Sequence, residues 1–406
     1  MRVTQILLKQ HIGWHFQKHW RFQGKRRVND TGAEKVLKEK GIPVEDANAF
    51  LKEKIVRERV EVVSYGEKVQ PLDKTHPNWH DRKLLTYKDN NVLLEGLIQA
   101  QILTNTVQIQ EGLPAKYELP EIKKELNRRI KEVILGAHIL DAEQKKLPKL
   151  FDPLRPAFNF PRVYGVTQNR VFKLLVSRLL NLVETTSDIN VTRQRYLADN
   201  LYFSYPFERN GDLIQFQLQG DTVLLAKNPL APITRQPINE LDLPDIFPIK
   251  PTVTLNEENI YVVENIYPVK KNAPKYHPHT LFINYDKEFV RNIFEEEVTT
   301  EQIYGRTLLK TFTAAASYAR AQYGEDIKKL PQPVTLQAVQ TDGRIFYFGV
   351  LQLNTLDLES PEIKNVWYQT AGIDLFQKCC YELGKPVLEG YNKEAIKHLF
   401  AFYNNV

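Results

Sequence analysis

The sequence predicts an α/β or α+β fold, in which a mixed sheet centred on a C-terminal hairpin is packed with helices and bordered by proline-rich wrapping segments. Residues Pro331–Leu358 indicate the hairpin, because two strand-like apolar runs flank Asp342-Gly343. Asp-Gly favours the positive φ angles of a tight two-residue turn. The second run, Ile345–Leu353, is apolar on both faces for most of its length, which is typical of a strand covered on both sides. Such a central strand implies helices packed on the sheet.

The longest helix is predicted over Thr300–Tyr323, directly before the hairpin. Thr300 is the expected N-terminal cap, Gly324 ends the apolar pattern, and the small run Ala314–Ala316 permits close approach to a sheet. The spacing of apolar residues predicts four further helices. They cover Asn90–Gln110, Pro120–Leu140, Val171–Leu182 and Asn392–Tyr403.

Two other stretches have a clear pattern. Asp212–Gln219 and Thr222–Lys227 flank Gly220-Asp221, which predicts a second hairpin. Residues 228–252 contain six prolines, and proline is excluded from helix interiors and from central strands. We therefore predict an extended wrapping segment there.

Length and composition narrow the classes of protein. A chain of 406 residues with 42% hydrophobic content can bury a large core. No stretch approaches the roughly 20 uninterrupted apolar residues of a membrane span, so the sequence indicates no integral membrane protein. The adjacent Cys379 and Cys380 form neither a disulfide framework nor the paired spacing of a zinc site. A reducing compartment is the simplest interpretation.

The excess positive charge lies at the N-terminus. Residues 1–29 contain seven Lys or Arg residues and no acidic residue, which more than accounts for the net charge of +6. An acid-free, amphipathic N-terminus is typical of a mitochondrial presequence, although a permanent basic arm that binds nucleic acid has the same composition. The predicted organisation is a presequence or arm over 1–29, a charged helical and loop extension over 30–90, and a globular body over 91–406 with a candidate subdivision near 228–252.

The nearly neutral body limits any interaction with nucleic acid to local patches, because every phosphate contact is a charge contact. The middle of the predicted helix Pro120–Leu140 is basic, and a small basic and aromatic patch follows the next helix. A solvated helix face has the same composition, so the two interpretations stay open. The candidate RNA contacts are Lys123, Lys124, Arg128, Arg129, Arg193 and Arg195.

Motifs for catalysis are absent from the sequence, including the phosphate-binding GxxxxGK[ST] loop, GxSxG and HExxH. A helix followed by two strands is also the core of many metal-dependent nucleases, whose second strand carries a carboxylate, any residue and then lysine. Here the corresponding residues are Gln352-Leu353-Asn354, which cannot hold the metal ions of such an enzyme. His76 and His80 would share a face only on a helix, and Pro77 argues against a helix there. We predict no metal, no cofactor and no catalytic residue.

Several of these segments resemble a known family. The matching residues follow one another in family order from about residue 71 to near the C-terminus. They are Leu93-Leu94-Glu95-Gly96, Glu111-Gly112-Leu113-Pro114, His277-Pro278-His279-Thr280-Leu281, Gln332-Pro333-Val334, Thr341-Asp342-Gly343-Arg344 and Gln352-Leu353-Asn354-Thr355. They closely resemble the animal family of mitochondrial large-subunit ribosomal proteins numbered thirty-seven, whereas residues 1–70 match it poorly.

The resemblance implies a non-catalytic component of the mitochondrial large ribosomal subunit, located in the matrix. Its implied partners are large-subunit ribosomal proteins, with a sister protein of the same family among the candidates, and mitochondrial ribosomal RNA. Two alternatives from other classes stay open at this point: an enzyme on a nuclease-like core, and a mitochondrial binding protein outside the ribosome.

Overall fold

The computed structural model describes residues 31–45, 71–149, 152, 154–234, 241–246, 249–269, 276–294 and 296–406. The chain divides into two compact units, 1–69 and 70–406. In the first unit the described residues contain helix α1 (Ala33–Glu39), which has no buried residue and carries an exposed Glu34–Lys38 ion pair of 3.2 Å. The predicted presequence, residues 1–29, lies outside the described residues.

The second unit contains six further described helices. The longest has the bounds that the sequence predicts, although its N-terminal cap is Thr299 rather than Thr300. The Thr299 hydroxyl accepts a hydrogen bond from the Gln302 backbone N–H, and the Gln302 side chain bonds back to the Thr299 N–H, which forms a capping box. The helices are α2 (Gly96–Thr104), α3 (Lys124–His138), α4 (Gln168–Thr186), α5 (Ile189–Thr192), α6 (Thr300–Tyr323) and α7 (Glu394–Asn404).

Ten strands form one mixed sheet, as predicted. They are β1 (Trp79–Lys88), β2 (Thr106–Glu111), β5 (Arg195–Arg209), β6 (Asp212–Ala226), β7 (Asn256–Ile260), β8 (His277–Asn284), β9 (Lys329–Thr341), β10 (Ile345–Thr355), β11 (Asn365–Gln369) and β12 (Ile373–Asp374). Two small ribbons pair β3 (Lys145–Lys146) with β4 (Tyr164–Gly165), and β13 (Lys378–Glu382) with β14 (Lys385–Glu389).

The strand order is β2-β11-β10-β9-β8-β6-β1-β7, with β5 also paired to β6 and β12 to β10. Three pairs are parallel, namely β1–β6, β8–β9 and β2–β11, and the other pairs of this sheet are antiparallel. The C-terminal hairpin β9–β10 therefore lies inside the sheet. Its position as the centre of the architecture is confirmed.

Strand β10 is covered on both faces, as its sequence predicts. Leu351 and Leu353 pack in one hydrophobic cluster with Phe312 of α6, and α2 adds to the same cluster. Phe348 and Val350 face the opposite cluster, to which α3, α4 and α7 contribute. The sheet is thus the middle of three layers, and its alternating side chains supply both cores.

The turn of this hairpin is longer than predicted. Three residues, Asp342 to Arg344, separate the two strands. Gly343 has a φ of 92°, while the Asp342 carboxylate accepts hydrogen bonds from the backbone N–H groups of Arg344 (2.8 Å) and Ile345 (2.7 Å). The aspartate thus acts as a turn acceptor rather than as a residue with positive φ, which lengthens the loop.

The predicted hairpin around Gly220-Asp221 is wrong. Strand β6 continues through Gly220, and the turn lies earlier, at Asn210-Gly211, where φ is 49° and 81° and Arg209 pairs with Asp212. A two-residue hairpin turn of type I′ needs positive φ at both residues, which Asn and Gly tolerate best. At Gly220 a Cβ atom would lie 2.6 Å from Leu281 Cδ1, so this glycine gives space to the neighbouring strand instead of forming a turn.

The helix predicted over Asn90–Gln110 is also wrong in its extent. It covers Gly96–Thr104 and ends at Asn105, whose φ of 50° stops the helix. The following residues form β2, which pairs with β11 at the edge of the sheet. Within the described ranges no helix is both long enough and apolar enough to cross a membrane. The proline-rich wrapping segment stays a prediction, because residues 235–240 and 247–248 are outside the description.

Candidate functional site

The C-terminal end of β10 is where a nuclease-like core would carry its metal ligands. Gln352, only 1% exposed, accepts hydrogen bonds through Oε1 from the backbone N–H groups of Ile233 (2.7 Å) and Thr234 (2.9 Å). Its Nε2 donates to the Thr234 carbonyl and to Asn354 Oδ1, each at 2.9 Å. The whole amide is therefore occupied by contacts within the chain.

The neighbouring amides continue this network. Asn354 donates from Nδ2 to the Lys364 carbonyl at 2.8 Å. Asn365 Oδ1 accepts from the backbone N–H groups of Asn354 and Thr355, and its Nδ2 donates to the Thr104 carbonyl at 2.9 Å. These amides join β10 to β11 and to the end of α2. The part of the chain that the structure describes has no group of three His, Cys, Asp or Glu residues that could hold a metal ion.

A cluster of charged side chains is buried between α6 and the sheet. Lys310 Nζ lies 2.5 Å from Asp89 Oδ1 and donates to the Gln219 carbonyl at 2.9 Å. Arg306 donates to the Asn284 carbonyl at 3.1 Å and lies 3.7 Å from Asp89 Oδ2. The Lys310 and Arg306 side chains are 1% and 2% exposed, so neither can reach a substrate.

Burial controls the ionisation of this cluster. Burial lowers the pKa of Lys310 to about 8, although the Asp89 and Asp221 carboxylates oppose the shift. Burial would raise the pKa of Asp89, but the positive charges of Lys310 and Arg306 outweigh it and the pKa is lowered. The pKa of Asp221 is raised by burial. Asp89 and Lys310 thus form an ion pair near neutral pH, and it ties α6 to the end of β1.

A groove of about 550 Å³ lies between the N-terminal turn of α3, the α4–α5 junction and α7. Ile122, Leu126, Val191 and Phe400 line its apolar part. The charged residues on its walls are of both signs, with three acidic and two basic side chains. They are Glu121, Glu125, Asp188, Lys123 and Arg129. A mixed rim of this kind suits a peptide better than a polyphosphate.

The six candidate RNA contacts occupy different environments. Lys123 and Arg129 line the groove, and Arg193, which is exposed, follows the groove residue Val191 by two positions. Lys124 is exposed on the first turn of α3, outside the lining of the groove. The groove thus brings together two of the six.

The other two candidates have partners within the chain. Arg128 forms an exposed 3.1 Å ion pair with Glu132. Arg195 donates from Nη2 to the Asn405 carbonyl at 2.7 Å and from Nε to the Tyr403 carbonyl at 3.3 Å. Arg195 therefore holds the C-terminal end of α7, where a cation also complements the helix dipole. Burial lowers the pKa of this guanidinium.

The sequence reading missed a group of exposed apolar side chains. Phe289, Ile293 and Phe294 lie between β8 and α6 and are 57–62% exposed. Leu383, at the tip of the β13–β14 ribbon, is fully exposed, and Tyr381 beside it is 61% exposed. Exposed apolar clusters are typical of surfaces that contact another macromolecule. The sequence signal for the ribbon tip is Leu383-Gly384 between the short strands Lys378–Glu382 and Lys385–Glu389.

Comparison with known proteins identifies the family. The cattle (Bos taurus) large ribosomal subunit protein mL37 is 30% identical over 354 residues, which cover 83% of this chain and 78% of that protein. The chain belongs to the mL37 family. The rat (Rattus norvegicus) mL37 is 33% identical over 306 residues, which cover 73% of this chain and 66% of that protein. The mouse (Mus musculus) mL37 is 34% identical, and the match covers 68% and 62% of the two chains. The chain thus spans slightly less than two thirds of the rat and mouse mL37 proteins.

A family model described as mitochondrial 28S ribosomal protein S30 (PDCD9) matches residues 286–406, from the approach to α6 to the last residue of the sequence. Its description names a 28S protein, whereas the relatives are named large-subunit proteins. The relatives align with 68% or more of this chain, so the mL37 assignment rests on the broader match. The resemblance drawn from the sequence motifs is confirmed.

Proposed function

We propose that this chain is a structural constituent of the mitochondrial large ribosomal subunit, which it stabilises through contacts with ribosomal proteins and ribosomal RNA. Membership of the mL37 family carries the proposal, because the match to the cattle protein covers 83% of this chain. The geometry supports a non-catalytic role: the Gln352 and Asn354 amides are occupied within the fold, and Lys310 is closed to solvent.

Most of the binding surface is proposed to meet protein. The body is nearly neutral, so it lacks the strong cationic excess of a protein that threads RNA. The exposed Phe289, Ile293 and Phe294 are suited to protein contacts, as is the apolar part of the groove. A sister protein of the same family is one proposed neighbour.

The RNA contacts are proposed to be local. Lys123, Lys124, Arg129 and Arg193 are exposed and free of any ion pair among the described residues, so they can approach phosphates. Arg128 can exchange its exposed Glu132 partner for RNA at little cost, because surface ion pairs contribute roughly 0.2–1 kcal/mol. Arg195 is proposed to act through the end of α7, which it holds in place.

Alanine substitution tests this assignment in two sets. Replacing Lys123, Lys124, Arg128, Arg129 and Arg193 together should reduce RNA crosslinking with little change in melting temperature. Arg195→Ala, made separately, should lower the melting temperature instead. Unchanged crosslinking and assembly after the fivefold substitution would exclude these residues as RNA contacts.

The acid-free segment 1–29 is proposed to direct import into mitochondria. Replacing its seven basic residues by glutamine should leave the precursor outside the organelle, and normal import would contradict this role. The same variant, placed in the matrix by another route, separates the two roles of residues 1–29. If they form an arm that binds nucleic acid, the variant should bind the large subunit more weakly. If they serve only import, its binding should be unchanged.

The decisive experiment is sedimentation of the full chain from mitochondrial lysate through a gradient at high salt. Comigration with the large subunit is expected. Recovery at the top of the gradient would favour a binding protein outside the ribosome. Metal-dependent cleavage of DNA or RNA by the purified chain, lost in Asn354→Ala, would instead favour an enzyme on a nuclease-like core.

A further inference from the structure

The tip of the β13–β14 ribbon has an unusual residue. Glu382 pairs with Lys385, so Leu383 and Gly384 alone form the turn, and their φ angles are 47° and 78°. Both positions of such a turn need positive φ, which suits Asn, Asp and Gly. Leucine is disfavoured there because its Cβ crowds the backbone.

Leu383 gains no internal contact in return. Its exposure reaches 103% of the reference value, the highest among the exposed large hydrophobic residues of the described chain, and Tyr381 on the same ribbon is 61% exposed. A leucine that is unfavourable in both backbone conformation and hydration does nothing for the stability of the isolated chain. Strained residues of this kind cluster at functional positions.

The ribbon is held firmly at its base. Cys379 and Leu388 pack against the hydrophobic cluster that contains Phe348. The Gln377 backbone N–H donates to the Glu389 carbonyl at 3.0 Å, and the Asn392 N–H donates to the Leu375 carbonyl at 2.8 Å. Each strand has five residues and is about 16 Å long, and the Leu383-Gly384 turn lies at the end away from this base. The exposed tip therefore lies at the end of a hairpin whose base is fixed to the core.

The charges of the ribbon indicate what the tip meets. Lys378 and Lys385 are balanced by Glu382 and Glu389, and Lys378 is ion-paired with Glu382. A balanced ribbon offers no attraction to RNA phosphates or to an anionic lipid surface. An apolar side chain at its end fits a hydrophobic pocket of a protein, as an interface anchor does.

We infer that Leu383 inserts into an apolar pocket of a neighbouring protein in the large ribosomal subunit, with Tyr381 packing at the rim of that pocket. This inference rests on the proposed ribosomal function, and it names one contact by which the chain is held. We call this insertion of Leu383 the peg. The unfavourable φ angle and the exposure of Leu383 are offset only when the partner buries its side chain.

Leu383→Asn tests the peg, because asparagine accepts positive φ but cannot fill an apolar pocket. The melting temperature of the purified chain should stay the same or rise, while binding to large subunits depleted of the endogenous protein should weaken roughly tenfold or more. Leu72→Asn is the matched control, since Leu72 is 83% exposed and is not among the residues with positive φ. It should bind as the wild type does.

The outcomes separate the two ideas. If the wild-type chain fails to bind large subunits, the proposed function fails and the peg with it. If the wild type binds and Leu383→Asn binds equally well, only the peg is overturned. A lower melting temperature in Leu383→Asn would show that the tip is structural and would also overturn it. A photocrosslinker at position 383 should label a ribosomal protein, and labelling of RNA alone or of a second copy of this chain would contradict the assigned partner.

Discussion

The side chain of Gln352 pairs with the backbone of Thr234 in both directions. The Thr234 N–H donates to Gln352 Oε1, and Gln352 Nε2 donates to the Thr234 carbonyl, each at 2.9 Å. A primary amide thus acts as one extra peptide unit and binds a loop as a strand would. Ile233 packs against the same cluster as Phe348, so the loop is held by both polar and apolar contacts.

Gln352→Ala should release this loop. Hydrogen exchange at the Ile233 and Thr234 amides should accelerate by roughly tenfold or more, because both N–H groups lose their acceptor. Gln215→Ala is the control, since Gln215 is 2% exposed and its side chain bonds Ser204 elsewhere in the sheet. Equal acceleration at residues 233 and 234 in both variants would mean that Gln352 has no local effect.

The Lys310–Asp89 pair should show strong coupling. Lys310→Met leaves the Asp89 carboxylate without its closest cation, and we expect a loss of about 3 kcal/mol in the free energy of unfolding. Asp89→Asn should also destabilise, because Lys310 is then buried without that partner. The double variant should be more stable than the sum of the single effects predicts by at least about 1 kcal/mol. Additive losses in urea denaturation would argue against a direct pair.

Gly349 in β10 is expected to tolerate no larger residue. A Cβ atom there would lie 2.3 Å from Cη2 of the buried Trp367. Gly349→Ala should therefore lower the free energy of unfolding by about 3 kcal/mol. In helix α3, Gly136→Ala meets only the end of the Arg178 side chain and should stabilise by roughly 0.5–1 kcal/mol. Similar melting temperatures for the two variants would show that Trp367 does not restrict position 349.

His279 should make stability depend on pH. It is 1% exposed, and its Nε2 lies 2.9 Å from the Asn405 carbonyl. Burial, with the nearby Arg195 and Lys116 charges, lowers its pKa to about 3. Because the unfolded imidazole has a pKa near 6.5, the unfolded state binds more protons between about pH 6.5 and 3. Stability should thus fall as pH decreases through that window, by about 2 kcal/mol at pH 5.

His279→Gln keeps a donor for Asn405 and removes the ionisation. Its melting temperature should depend less on pH between 6.5 and 5 than that of the wild type. His76→Gln, at a partly exposed position, should keep the wild-type dependence. A parallel profile for His279→Gln and the wild type would rule out the histidine as the source.

The sequence predicted correctly those elements whose bounds are set by residues close to them in the chain. The bounds of α6 follow from a polar cap, an apolar stripe and Gly324, all of which lie within one stretch. Strand β5 was missed, because Pro206 and the polar pair Asp199-Asn200 interrupt its pattern and its stability comes from pairing with β6. The family was readable from short motifs.

The environment of the candidate site residues depends on contacts between residues far apart in the sequence. The sequence alone therefore did not predict their partners. Arg195 has the charge of an RNA contact, yet its acceptors are the carbonyls of Tyr403 and Asn405. The sequence predicts that Gln352 and Asn354 are not metal ligands, but it does not predict that Gln352 fastens residues 233–234, because that loop has no recognisable pattern. The groove rim combines side chains from α3 and the α4–α5 junction.

The parallel pairing of β2 with β11 sets the order in which the sheet can be completed. Thr106 lies opposite Asn365, so a strand made early meets its neighbour only when nearly the whole chain is available. Long-range parallel pairing is slow and leaves strand edges open for aggregation until it forms. A chain that ends before β11 would lack a partner for β2, leave one edge of β10 without β11, and lose α7 from the face that carries Phe348. Truncated products should therefore be substrates for chaperones and proteases rather than partly active subunits.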